Sequence, residues 1–71
     1  MNAGPDIAGA AKLLADPARA AMIGVLLSGG EHSASELAGT ASITAPTASA
    51  HLALLAAGGF IAARRSGRHV L

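Results

Sequence analysis

Two glycine pairs limit what this chain can build. Gly29 with Gly30, and Gly58 with Gly59, cut a chain of 71 residues into three pieces. Each pair closes a run whose apolar residues recur at helical spacing, the position where a left-handed stop is favoured. The pieces before and between the pairs have room for short helices, and the piece after the second pair has room for little more than a hairpin.

Within the first piece, Ile7, Ala10, Ala11 and Leu14 repeat at i, i+3, i+4 and i+7, which predicts a helix with Asp6 as its N-cap after Pro5. Residues 1–5 carry Gly and Pro without periodicity and are expected to form a flexible end. Asp16 caps a second helix, with Pro17 at its first position, where a missing N–H costs little. Ala20, Ile23, Leu26 and Leu27 are its expected buried stripe. Ser33 and Glu36 have capping-box spacing for a third helix anchored by Leu37. Gly39 with the following "TAS" is expected to end it after about two turns. Thr44 caps a fourth helix that has Pro46 in its first turn and runs to Ala57. Past the second pair the period changes, and "FIAARRSGRHVL" reads as two extended runs joined by Ser66 and Gly67, a β-hairpin. The expected fold is mainly α with a small β-hairpin. Four helices, the third and fourth a helix-turn-helix, precede a two-stranded wing in one winged helix-turn-helix domain over residues 6–71.

Composition narrows the function. Hydrophobic residues make up 52% of the chain, but much of that is alanine, which supplies helix propensity more than buried area. Phe60 is the only aromatic residue. So small a core is expected to need a partner subunit or further chain. Cysteine is absent, which excludes a disulfide framework, a thiolate metal site and a cysteine nucleophile. The carboxylates Asp6, Asp16, Glu31 and Glu36 form no acid/base pair, and no glycine pair leads into a phosphate-binding Lys-Ser/Thr signature. No nucleophile-elbow spacing surrounds a serine. An enzyme is therefore not expected. His32, His51 and His69 lie on three separate elements, so neither a metal site nor a cofactor is expected. No apolar run is long enough to span a bilayer, and "MNAGPDIAG" lacks the charged start of a signal peptide. No membrane association is expected, and the cytoplasm is the expected compartment.

Steps of 100° place Ala48, Leu52 and Leu55 on the core side of the fourth helix. Pro46, Ser49, Ala50 and Ala53 lie opposite, with Thr47 and Leu54 at the edge. A face of such small residues lets a helix backbone approach a DNA groove closely, with hydroxyls for base edges or phosphates and methyls for thymine. Thr44, Ala45, Pro46, Thr47, Ser49, Ala50 and His51 are the candidate recognition residues. The free N–H groups at Thr44 also suit a phosphate. His51, between the core edge and Thr47, is expected first as a half-buried histidine bonded to a nearby backbone or hydroxyl group, next as a phosphate contact and least as a metal ligand. Three of the five basic residues, Arg64, Arg65 and Arg68, flank the hairpin turn, with His69 next. These four are candidate wing contacts to phosphates or the minor groove. Neighbours on a strand face opposite sides, so Arg64 and Arg65 cannot share a surface. Arg19, three residues after Asp16, is expected to form a local ion pair with it, and Lys12 to be solvated. The plainer readings are a helix packed on a partner and a solvated wing tip.

Asp16-Pro17-x-Arg19, Ser35-Glu36-Leu37-Ala38, Thr47-x-Ser49-x-His51-Leu52-x-x-Leu55, Gly59-Phe60-Ile61 and Gly67-Arg68 are weak motifs singly but specific in this order and spacing. Through them, from near Ile7 to Leu71, the chain resembles the bacterial ArsR/SmtB family of winged-helix repressors. The resemblance implies a homodimeric transcriptional repressor that binds a double-stranded DNA operator and is released by a small effector, often a metal ion. In metal-sensing members, cysteines lie on the third helix, where Ala38, Gly39 and Thr40 stand here. Polar or basic side chains are usual in the family at the positions of Ala45, Ala50 and Ala53. Their absence implies few bidentate base contacts, each typically worth ~1–3 kcal/mol, and modest sequence selectivity. Family members complete the wing and add a final dimerisation helix. This chain stops at Leu71, inside the second wing strand, and is expected to be a DNA-binding segment of a longer protein or a truncated form. Dimerisation is expected through the first helix and whatever follows Leu71, with the edge of "RHVL" unpaired. No residue identifies the effector. The alternative function is a winged-helix protein–protein interaction module without DNA binding. Arginine in the wing favours DNA, since a protein-docking wing would need exposed apolar residues.

Overall fold

The computed structural model describes residues 7–64 and 67–71. In chain order it contains α1 (Ile7–Leu14), α2 (Pro17–Leu27), α3 (Ala34–Ala41), α4 (Ala45–Ala57), β1 (Ile61–Arg64) and β2 (Gly67–Val70). Four helices followed by an antiparallel hairpin make a winged helix-turn-helix. The expected Asp6 cap and the residues before it lie outside the described residues.

Local chemistry explains most helix ends. Asp16 Oδ1 accepts from the N–H groups of Ala18 (2.9 Å) and Arg19 (3.1 Å), satisfying donors that a helix start leaves open. The capping box forms in full: the Ser33 N–H donates to Glu36 Oε1 (2.9 Å) and the Glu36 N–H to Ser33 Oγ (3.1 Å). The third helix ends within the expected Gly39–Ser42 stretch, after eight residues. Gly39 stays helical, and the left-handed residue is Ser42, at φ 57° and ψ 42°. Its N–H meets the carbonyls of Ala38 and Gly39, and the Ile43 N–H donates to Ala38 O at 3.0 Å. Two closing bonds hold a serine in a conformation that glycine adopts more cheaply. At the end of α4, Gly58 remains right-handed and Gly59 makes the turn at φ 82°.

The core lies where α2, α3, α4 and the start of β1 meet. Met22, Leu26, Leu37, Ala38, Ala48, Leu52, Leu55 and Ile61 are buried there, with Ile23, Val25 and Phe60 packed against them. Two members of the stripe expected for α2 are therefore displaced: Ala20 is exposed and Leu27 is 68% exposed. Met22 and Leu26, four residues apart, form the inward line, and one further residue turns Leu27 about 100° away from it. The predicted face of α4, Ala48, Leu52 and Leu55, is the buried one. No residue of α1 is fully buried.

The wing pairs Ile61 with Val70, Ala62 with His69, Ala63 with Arg68 and Arg64 with Gly67. Gly67 is thus a strand residue and not half of the turn; Arg65 and Ser66 lie outside the described residues. Nor is the outer edge of β2 bare as expected. His32 bridges to Arg68, donating its N–H to Arg68 O (3.0 Å) and accepting the Arg68 N–H on its own carbonyl (2.8 Å). The contact explains Gly67, which has φ 146°: a Cβ there would lie 2.5 Å from His32 O. No helix among the described residues is long and apolar enough to cross a membrane.

Candidate nucleic-acid interface

The tight turn from α3 presents α4 with its N-terminal half open to solvent. Thr44 caps it, its hydroxyl accepting the Thr47 N–H at 3.3 Å and donating to Thr47 Oγ1 at 2.9 Å. Ala45, Pro46, Thr47, Ser49 and Ala50 are all exposed, and Ala53 and Leu54 continue the surface. The exposed face therefore carries methyls and hydroxyls and no charge. Ser49 Oγ has no hydrogen-bond partner among the described residues, which leaves it free for a ligand. The core anchors Ala48, Leu52 and Leu55 fix which side of the helix this is.

His51 differs from its neighbours. It is half-buried, and its Nδ1 lies 3.0 Å from Arg19 Nη1. A guanidinium can only donate, so Nδ1 accepts and the ring proton sits on Nε2. The partner is a side chain of α2, not the backbone or hydroxyl group expected from sequence. Arg19 also donates from Nε to Leu13 O at 2.7 Å. The expected Asp16–Arg19 ion pair is replaced by a backbone contact, because the guanidinium is engaged elsewhere. Hydrogen bonding from the Arg19 N–H, with further help from the Ala18 N–H and the nearby positive charge, holds the Asp16 carboxyl below its ordinary value despite partial desolvation. The Glu36 carboxyl is likewise lowered, first by the Ser33 N–H and then by the Ser33 hydroxyl.

On the wing, the Arg64 side chain is 65% exposed, with Nε 3.3 Å from Glu31 Oε2. His69 Nδ1 lies 3.8 Å from the same oxygen and is itself buried, without a hydrogen-bond partner among the described residues. The register places Arg64 and His69 on one face of the hairpin and Arg68, paired with Ala63, on the other. Arg68 is half-buried, and Arg65 lies outside the described residues. Glu31, which sequence reasoning passed over, thus offsets part of the wing's charge; nothing local signals it, because its partners lie on the wing. Among the described residues no three His, Asp or Glu side chains are grouped to hold a metal.

The sequence profile of a helix-turn-helix domain family matches residues 14–64. The chain belongs to that family. Among solved structures it is similar to a homodimeric winged helix-turn-helix DNA-binding domain from Mycobacterium bovis, fragment 1–100 of a possible ArsR-family transcriptional regulator. The two are 28% identical with a TM-score of 0.76, over 99% of this chain and 75% of the other. No curated protein matches the chain. Both matches agree with the resemblance drawn from the motifs: the domain is a winged helix-turn-helix, similar to that of a possible ArsR-family regulator.

Proposed function

We propose that this chain is a cytoplasmic DNA-binding transcription regulator that acts as a homodimer on a double-stranded operator and represses by occupying it. The observation that carries the reading is the exposed, uncharged, small-residue face at the start of α4. It lies on the second helix of a helix-turn-helix, the one that enters the major groove in this motif. Ala45, Pro46, Ser49 and Ala50 face the bases, while Thr44 and Thr47 sit by the phosphate at the helix start. The wing supplies backbone contacts through Arg64, Arg65 and Arg68. His51 and His69 support the interface from within, since both are half-buried and His51 already has a partner.

The dimer is supported by α1. Ile7 (74% exposed) and Leu14 (36% exposed) lie seven residues apart, hence on one side of the helix, and Leu27 of α2 is exposed as well. A paired arrangement would set two copies of α4 on successive half-sites. The test is fluorescence anisotropy of the chain with short duplexes at two salt concentrations, with the Arg64→Ala/Arg68→Ala variant alongside. Binding that weakens with salt, and weakens further in the variant, is the expected result. The slope lost should be ~0.9 per phosphate contact removed. Absence of binding by a folded dimer would move α4 to the protein-contact reading.

A further inference from the structure

The Arg19 side chain ties three helices together through hydrogen bonds, from α2 to both α1 and α4. It stands in the first turn of α2 and is half-buried. Its Nε donates to Leu13 O at 2.7 Å, satisfying one of the carbonyls that the C-terminal end of α1 leaves open. Its Nη1 reaches Nδ1 of His51, 32 residues away in the middle of α4, at 3.0 Å. The anchors are unlike: one is a backbone oxygen in the helix proposed to meet the partner subunit, the other a ring on the helix proposed to meet DNA. Asp16 makes no ion pair with the guanidinium; its Oδ1 accepts two backbone N–H groups instead.

We infer that Arg19 is a positioning residue that sets the recognition helix relative to α1, and that His51 influences DNA binding through Arg19 and not by touching DNA. The inference rests on the DNA reading above. A planar guanidinium donating in two directions fixes both partners at once, which an ammonium does not reproduce. A displacement of Leu13, as when α1 packs against a second copy, is passed by this group to the turn of α4 that carries His51, next to the exposed Ala50. Ring orientation and tautomer are fixed with it, leaving Nε2 as the only ring donor.

A double-mutant cycle tests this on the full chain with a fluorescent duplex, at a temperature where every variant is folded. Arg19→Met keeps the aliphatic stem and removes both donors; His51→Leu removes the acceptor. Each is expected to weaken binding on the order of tenfold, the size of a coupled contact, and the double variant no further. The salt dependence should keep the wild-type slope. His51→Asn, whose amide oxygen can accept in place of Nδ1, should restore most of the affinity. Additive losses with a slope smaller by ~0.9 in His51→Leu would make the histidine a phosphate contact and overturn the inference. A lowered melting temperature with unchanged affinity would overturn it too, by reducing Arg19 to a structural tie. If the wild-type chain binds no duplex, the DNA reading fails first, and nitrogen-resolved NMR of the His51 ring decides the tether alone. A proton on Nε2 that moves or exchanges in Arg19→Met supports it; a ring unaffected by that change contradicts it.

Discussion

Gly67 shows how one missing carbon holds the wing to the body. With φ at 146° and the His32 carbonyl where a Cβ would lie, alanine at this position must push away the bridge that pairs His32 with Arg68. Gly67→Ala is expected to cost about 1–3 kcal/mol of stability, the scale of local backbone strain. Amide exchange at His32 and Arg68 should quicken more than exchange at α4, and unchanged protection there would refute the role. The caps respond to acid. Asp16 and Glu36 both have lowered pKa values in the folded chain, so the unfolded chain binds more protons as pH falls. Stability contributed by these carboxylates is complete above their ordinary values near 3.8 and 4.5 and is lost as pH drops through the lower folded ones. Asp16→Asn, which can still cap, should flatten the acid side of a melting-temperature profile; an unchanged profile would remove the cap from the cause. These caps were legible in sequence because donor and acceptor lie two or three residues apart. Arg19 and Glu31 were not, because their partners are reached only after the chain has folded back.

Among the elements, α4 was the clearest from sequence and α2 the least. In α4, Ala48, Leu52 and Leu55 are the positions that can fill a core, and small or polar residues mark the other side. In α2, apolar residues occur all round, so Ile23 with Leu27 fits the helical period as well as Met22 with Leu26. Packing against α3 and α4 decides between them. The end of α3 falls in the stretch its sequence marks, Gly39 with Thr40–Ser42, and the structure adds which of these residues takes the left-handed turn: Ser42, not the glycine. The composition of α4 carries a prediction of its own. Without charged or amide side chains, this face, in the proposed function, would read DNA mainly through methyl contact and hydroxyl hydrogen bonds. Replacing thymine by deoxyuridine in an A·T-rich duplex removes only the 5-methyl group, and affinity is expected to fall several-fold. Equal affinity for the two duplexes in a competition assay would show that methyl contact plays no part.

At the scale of the molecule, the core is small and α1 contributes no fully buried residue to it. Ile7, Leu14 and Leu27 leave apolar surface exposed on the first two helices, and a second copy covers it in the proposed dimer. Burying such side chains contributes ~1.5–3 kcal/mol each when complete, so the interface should stabilise the fold itself. Leu14→Lys is expected to shift sedimentation toward the monomer and to make melting independent of concentration; a variant that still sediments as a dimer would place the interface elsewhere. The order of elements was legible from caps and glycine pairs. The His32 bridge was not, since a single paired residue leaves no periodicity.

The most direct test is DNA binding by Ala50→Glu. Ala50 is exposed at the centre of the small-residue face, so glutamate is compatible with the helix but sets a negative charge against the groove. With helix content and dimer unchanged, anisotropy should show salt-dependent duplex binding by the wild-type chain and its loss, by at least about tenfold, in the variant. Equal binding by the two would contradict the placement of α4 in a DNA groove.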